Sequence, residues 1–413
     1  MDLTTILNRC HRFPKFIYGK SMFLGAAIHV DVRARKGSKP VCSGCNEPGP
    51  TYDTGRQPRS FEFVPLWGFA VYLWYSMRRV DCGQCGVTVE NVPWADGKNR
   101  TCNAHRLFLA RWGRRLPWSE VAQIFGTNWG VVYRAISWVV EYGLAHRSLD
   151  NVTAIGVDEI AVWAGHKYLT VVYQIDAGCR RLLWVGRDRT KATLRGFFKM
   201  FGKTRTKALR FICSDMWRSY LDVVRQMAGH ALNVLDRYHV VAKLNKAIDQ
   251  IRAQEARELT KKGYPLLKHT RWCFLKRKEN RTVDQRRKLR EVLRYPRRTV
   301  RAFLLKESFH AFWSYTSPTW AGWFLDKWCA RVMRSRLAPM KRFAKTLRDH
   351  RTLLLNWFKA RGEIALGAVE GMNTNAKHAI RKARGFRQYE VLQTALYHEL
   401  GRLPEPPITH RFC

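Results

Sequence analysis

The 413-residue sequence predicts a multi-domain α/β protein. It reads as a β-rich N-terminal module carrying paired cysteines, a short helical domain, and a mixed-sheet core interrupted by an all-helical insertion. Three observations predict this. Short β-type runs and two Cys-x-x-Cys pairs occupy residues 1–100, and the pattern turns helical over 101–150. Strand-like runs then alternate with helices from about 152 to 240. A basic helical zone follows, and a last helical segment carries an acid. The expected divisions are 1–100, 101–150, 151–243 with 361–402, and an insertion at 244–360.

The chain holds 74 Lys and Arg against 32 Asp and Glu, a net charge of +42. A folded chain this basic points to a polyanionic partner, nucleic acid first and an anionic membrane surface second. Hydrophobic residues make up 46% and aromatics 13%, enough to bury a core and to exclude a disordered basic tail. No run approaches the ~20 apolar residues of a spanning helix. The longest, 64–77, is broken by Pro65 and Gly68 and reads as a hairpin. Residues 1–12 lack a secretion-type segment. Eleven cysteines, an odd count, fit a reducing compartment such as a bacterial cytoplasm or a nucleus.

In the first segment, 17–33 and 61–80 read as strand pairs. Cys42-Ser43-Gly44-Cys45 and Cys82-Gly83-Gln84-Cys85 form two knuckles. A tight turn of this spacing lets two thiolates reach one tetrahedral Zn²⁺, and two knuckles complete the set. Cys102 and His105 are a weaker alternative pair. Cys179, Cys213 and Cys329 lie in apolar runs and read as packing residues.

The second segment predicts helices at 103–114, 118–126 and 129–142. Gly126 ends the middle one, and Thr127-Asn128 can cap the next. This is a helix–turn–helix pattern, with Asn128, Tyr133 and Arg134 as candidates to face a DNA groove.

The third segment predicts strands at 154–163, 168–176, 181–185, 209–215 and 231–235, with helices at 190–201 and 216–227. Three strands, a helix, a strand, a helix and a strand match the ribonuclease-H-like order. A carboxylate buried in a strand is costly without a compensating cation. Asp158 lies mid-strand, Asp215 ends a strand, and Glu370 follows on a late helix. Three such acids can hold two Mg²⁺ (or Mn²⁺) ions by oxygen ligation. Glu159 should face away from Asp158 by strand alternation. Asp215 can also cap a helix, and Asp236 is a rival or auxiliary acid.

These motifs and their order resemble bacterial insertion-sequence transposases of the DDE class, in the ISL3 family. The resemblance rests on the two cysteine knuckles, the helix–turn–helix, and the runs Gly156–Glu159, Gly165–Tyr168, Cys213–Trp217, Asp236–Val240, Val369–Asn373 and Arg381–Arg387. It implies a ribonuclease-H-like core with Asp158, Asp215 and Glu370 as catalytic acids and metal ligands. It also implies binding of the element's terminal inverted repeats, cleavage, and joining of 3′-hydroxyl ends to target DNA. Two DNA ends must meet in this reaction, so a homodimer on double-stranded DNA, in the bacterial cytoplasm and nucleoid, is expected. A non-catalytic zinc and helix–turn–helix regulator and a nuclease without strand transfer are the alternatives.

In the 244–360 zone, Lys and Arg neutralise phosphates, and interleaved tryptophans can stack on bases. For Trp272, Trp313, Trp320, Trp323 and Trp328 the expectation is that most form the insertion's own core. Glu370, Asn373, Lys377 and Arg381 recur at helical spacing, which predicts one shared face with Asn373, Lys377 and Arg381 toward DNA.

Overall fold

The structure, a computed structural model, describes residues 3–163 (backbone only at Trp163), 167–295, 297–361, 363–364 and 367–407. Gly165 and His166 of the 165–168 run lie outside the described residues. The chain divides into two compact units, one of residues 1–148 with 378–413 and one of residues 149–377.

The first unit opens with helix α1 (Leu3–Cys10) and strands β1 (Phe16–Leu24), β2 (Ala27–Ala34), β3 (Thr51–Thr54), β4 (Arg59–Leu66), β5 (Phe69–Tyr75), β6 (Arg78–Cys82) and β7 (Gly86–Val89). They form a four-stranded sheet, β1-β2-β5-β4, and a three-stranded sheet, β3-β6-β7. Alternation along β5 sends Val71, Leu73 and Tyr75 inward. There Trp94 is fully buried and meets Phe16, Phe61 and Tyr75 edge to face. The apolar 64–77 run is the β4–β5 hairpin, with Trp67 and Gly68 both left-handed at its turn.

Helices α2 (Asn103–Gly113), α3 (Trp118–Ile124) and α4 (Trp129–His146) follow. Gly126 takes φ +63° where α3 stops, and the Asn128 side chain accepts from Val131 N at 3.0 Å to cap α4. α2 and α4 pack closely at Gly113, where any Cβ would lie 2.7 Å from Ile136 Cδ1.

The second unit is built on β8 (Ala154–Trp163), β9 (Lys167–Asp176), β10 (Cys179–Arg187), β11 (Phe211–Ser214) and β12 (Leu232–Leu235). Their order is β10-β9-β8-β11-β12. β10, β9 and β8 pair antiparallel, whereas β11 runs parallel to both β8 and β12. Helices α5 (Lys191–Phe201), α6 (Lys203–Ala208) and α7 (Arg218–Ala228) connect the strands. Ile155 and Val157 of β8 join Leu194, Phe197, Tyr220 and Val223 in one core.

A helical region succeeds β12: α8 (Arg237–Lys261), α9 (Arg271–Leu275), α10 (Val283–Leu293), α11 (Arg298–His310), α12 (Pro318–Met333), α13 (Ala338–Asp349) and α14 (Arg351–Lys359). Buried Glu255 on α8 accepts from Thr299 N at 2.8 Å, so α11 is capped from another helix. Trp313 and Trp328 are buried, but Trp272, Trp320 and Trp323 are 52%, 61% and 57% exposed, which corrects the expectation that most of the five form core. The reason is helical phase: Ala321, Leu325 and Trp328 hold the inner face of α12 and leave Trp320 and Trp323 outside.

Helix α15 (Ala368–Lys382) spans the boundary between the units, and α16 (Tyr389–Leu400) groups with the first. No helix among the described residues is long and apolar enough to cross a membrane.

Candidate functional site

Two constellations stand out, one in each unit. In the first, Cys42, Cys45, Cys82 and Cys85 bring their sulfurs within 4.8 Å of one another. The β6–β7 hairpin supplies the second pair, since Cys82 ends β6 and Gly86, at φ +70°, begins β7. Gly44 permits the first turn, because a Cβ there would stand 2.8 Å from Cys85 Sγ. The Gly44 N–H donates to Cys42 Sγ at 3.3 Å, and Thr88 Oγ1 lies 3.2 Å from the same sulfur. The Thr88 hydroxyl and the Cys45 and Gly44 amides bring the Cys42 thiol down to about 6, whereas desolvation and the neighbouring Cys42 and Cys45 sulfurs push the exposed Cys85 up to about 12.

A buried ion pair braces the same small sheet. Arg78 Nη2 meets Glu90 Oε2 at 2.7 Å, and Tyr75 OH donates to Glu90 Oε1 at 2.6 Å. Cys102 and His105 lie elsewhere, buried under the larger sheet. Burial there holds the imidazole of His105 down at about 4.

In the second unit, Asp158 lies within β8, Asp215 directly follows β11 and Asp236 directly follows β12. The parallel register sets Cys213 beside Gly156 and Ser214 beside Leu235, so the acids cluster where neighbouring strands end. Each carboxylate has one oxygen held by a backbone amide. Asp158 Oδ1 accepts from Glu159 N at 2.8 Å, Asp215 Oδ1 from Trp217 N at 2.9 Å, and Asp236 Oδ1 from Tyr238 N at 2.9 Å.

The second oxygens face side chains. Asp158 Oδ2 accepts from Asn373 Nδ2 and lies 3.5 Å from His239 Nε2. Asp236 Oδ2 is 3.9 Å from the same nitrogen, and Asp215 Oδ2 is 3.7 Å from Arg189 Nη2. Thus Asp158, Asp236 and His239 have ligand atoms within 4.8 Å of one another. Burial raises the Asp236 carboxyl to about 6 and lifts Asp215 as well. The bond to Asp158 carries His239 up to about 9.

Glu159 pairs with Arg189 in a half-buried setting, and desolvation raises its carboxyl to about 7. The Arg189 guanidinium also lies over the Trp217 ring at 4.2 Å. Glu370 is exposed on the first turn of α15. It shares with Asp236 a cavity of about 490 Å³, lined also by Arg237, Arg277, Lys306, His310 and Trp357. α15 reaches β8 because Gly156 has no side chain: a Cβ there would sit 2.3 Å from Val369 Cγ2.

Asn373 departs from the shared face expected on α15. Glu370, Lys377 and Arg381 are exposed, but Asn373 is buried, with Oδ1 accepting from Tyr173 OH at 2.8 Å. Its amide is engaged on both sides inside the fold, so it is not presented to an outside ligand. On α4, Arg134 is exposed and Tyr133 stacks on Trp129 at 5.3 Å. Arg189, His239 and Tyr173 escaped the sequence reading as site residues. For His239 a signal existed, its spacing of one helical turn from Asp236.

With this geometry in view, a family model for transposases of the DDE type, ISL3 group, matches residues 155–396. The chain belongs to the ISL3 transposase family. A second model, described as the zinc-finger of transposase IS204/IS1001/IS1096/IS1165, matches residues 38–85, which include all four clustered cysteines. The transposase for insertion sequence element IS1557 of Mycobacterium tuberculosis strain H37Rv is 28% identical over 413 residues, covering 94% of this chain and 91% of its own. The transposase for insertion sequence element IS1001 of Bordetella parapertussis is 26% identical over 331 residues, 79% of this chain and 80% of its own. The ISL3 match thus takes in all but the first residue of β8, the acids Asp158, Asp215 and Asp236, and α15.

Proposed function

We propose that this chain binds the terminal inverted repeats of an insertion sequence, cleaves DNA there, and joins the freed 3′-hydroxyl ends to target DNA. One observation carries the reading: Asp158 within β8, Asp215 after β11 and Asp236 after β12 each have one oxygen fixed by a backbone amide and the other turned to a side chain. The strand order β10-β9-β8-β11-β12 supports a ribonuclease-H-like core, with Asp158, Asp215 and Glu370 as its reactive acids. Asp236 and His239 flank them.

The donor set is hard oxygen on a rigid frame, which suits Mg²⁺ or Mn²⁺. When bound, such a pair supplies an activated water or 3′-hydroxyl and stabilises the leaving oxygen. The chain's own residues do the rest. Asn373 and the Glu159 amide hold the Asp158 carboxylate in one orientation. Arg189 neutralises Asp215 and Glu159 until ligands arrive. Arg237 and Arg277, on the cavity beside Asp236, are placed to hold phosphates of the cut strand.

In the same reading the four cysteines hold a structural Zn²⁺, since a set of four thiolates at this separation suits its tetrahedral shell. α3 and α4 act as a DNA-reading helix–turn–helix through Asn128, Tyr133 and Arg134, and Lys377 and Arg381 add phosphate contacts. The working form is a homodimer on two DNA ends, in a bacterial cytoplasm.

A strand-transfer assay with Mg²⁺ on duplexes carrying the element's ends tests this. Asp158→Ala, Asp215→Ala and Glu370→Ala should each abolish cleavage and joining while retaining DNA binding. Full activity in any one removes that residue from the reaction. Cleavage without joining in the wild type would leave a nuclease.

A further inference from the structure

The run Arg381–Arg387 has no part in the chemistry above beyond Arg381. Within the first unit it is docked on the helices that lead into α4. Phe386 meets Trp118 edge to face at 6.1 Å. Lys382 Nζ donates to the carbonyls of Arg114 at 2.9 Å and Gly113 at 3.3 Å, and pairs with Glu399. Lys382 and Phe386 are therefore anchors. Arg381, Arg384 and Arg387 between and beyond them are exposed, and none has an ion-pair partner among the described residues.

The backbone of this turn is unusual for the residue it carries. Arg384 N donates to Arg381 O at 2.9 Å and Gly385 N to Ile380 O at 3.3 Å, which closes the end of α15. Both residues are left-handed, with φ +56° at Arg384 and +100° at Gly385. The first left-handed position after a helix ordinarily goes to glycine, because a Cβ is disfavoured there. An arginine kept in that conformation, exposed and without an ion-pair partner among the described residues, is available to a ligand outside the fold. Across a cavity of about 410 Å³ from Arg384 lie Ser119, Gln123 and Trp129, with Glu120 the one acid on its wall among the described residues. Trp129 opens α4 and is 44% exposed, stacked on Tyr133.

We propose that Arg384 and Arg387 grip the phosphodiester backbone of the same DNA duplex that α4 enters, so that the Arg381–Arg387 turn and α4 form one DNA-binding surface. The proposal rests on the reading of α4 given above. Guanidinium groups suit phosphate oxygens through paired donors, and such contacts position a duplex without reading its sequence. The turn supplies the grip beside the groove, and α4 supplies the reading.

The test uses the full chain, two fluorescent duplexes and a salt series. One duplex carries the inverted repeat flanking the gene, and the other is of random sequence. Arg384→Gly should melt at or above the wild-type temperature, because the turn is relieved, yet bind both duplexes more weakly by the same factor. Its plot of log affinity against log salt should be shallower by about 0.9, one phosphate contact. Arg387→Ala should flatten it likewise, and Arg384→Lys should restore most of the slope. Wild-type affinity and slope in both Arg384→Gly and Arg387→Ala would overturn the proposal and leave α4 untouched. Arg134→Ala separates the two ideas: a loss larger on the repeat duplex supports α4 as the reader. No loss on either duplex would sink the α4 reading, and the joint surface with it.

Discussion

The thiol cluster draws its four sulfurs from two turns, at 42–45 and 82–85, joined through one three-stranded sheet. The acid cluster draws on β8, β11, β12 and α15, and its central contact joins residues 215 apart in the chain. The thiols have no cation facing them among the described residues. The acids are already met by Arg189, His239 and Asn373. A site of soft ligands without a cation depends on its ion for local structure. A site whose charges are partly met by the chain can keep its shape and exchange a side-chain partner for an ion. The first arrangement suits a structural ion, the second an ion that comes and goes with substrate.

The largest effect expected from breaking this contrast is at the thiols. Cys82→Ser, or strong chelation, should release bound metal and open residues 38–90 to protease, because metal binding there is folding free energy. Chelation should leave residues 149–377 as protease-resistant as before. Resistance of both regions after complete metal loss would end the contrast.

Next is Arg189→Met. It strips the cation from Glu159 and Asp215, and leaving a partly buried acid unpaired should lower stability by about 3 kcal/mol. Added Mg²⁺ should then raise the melting temperature more in the variant than in the wild type. Equal shifts would mean that Arg189 does not stand in for an ion.

Gly156→Ala follows, at about 2 kcal/mol, since its Cβ meets Val369 and pushes α15 from β8. Denaturant unfolding should register the loss. Cleavage should fall further than stability alone explains, because α15 carries both Glu370 and Asn373.

Acid should act on the thiol-bearing unit through His105 and His398, held at about 4 and about 3 against an ordinary value near 6.5. Burial is the main cause at both. Between those values the unfolded chain binds protons that the folded unit refuses. Stability is therefore complete above pH 6.5 and falls as pH drops toward the folded values, by on the order of 2 kcal/mol for each histidine at pH 5. Thermal melts at pH 7.5 and pH 5 of wild type and His398→Asn would show it: the variant should lose less on acidification.

The smallest effect is expected at the exposed indoles. Trp320→Ala with Trp323→Ala should change stability by no more than about 0.5 kcal/mol, so any large loss of DNA binding would be read as direct contact.

The thiol cluster was the more legible region, because its ligands announce themselves in pairs at fixed spacing and a hairpin returns one pair to the other. The strands were legible too: β8 is an apolar run whose only acids are Asp158 and Glu159, and the bounds found for β9, α5 and β12 differ from the expected ones by one residue or not at all. Arg189 was not legible. It is one of 74 basic residues, and only the fold shows that it meets two acids. Asn373 was misjudged because helical spacing finds the residues that share a face but not the side of a broad face that turns inward. The indoles of α12 failed for the same reason in reverse, since aromatic character suggested core where helical phase left them outside.

The bond from Asn373 to Asp158 also bears on how the protein is made. A chain emerging from the ribosome completes the cysteine turns, the helices leading into α4 and the strands with Asp158, Asp215 and Asp236 well before residues 369–373 appear. Until they do, nothing holds the second oxygen of Asp158 from α15, and Glu370 is missing altogether. A growing chain therefore carries Asp158, Asp215 and Asp236 before it carries Glu370, and premature release leaves the Asp158 carboxylate without its Asn373 donor.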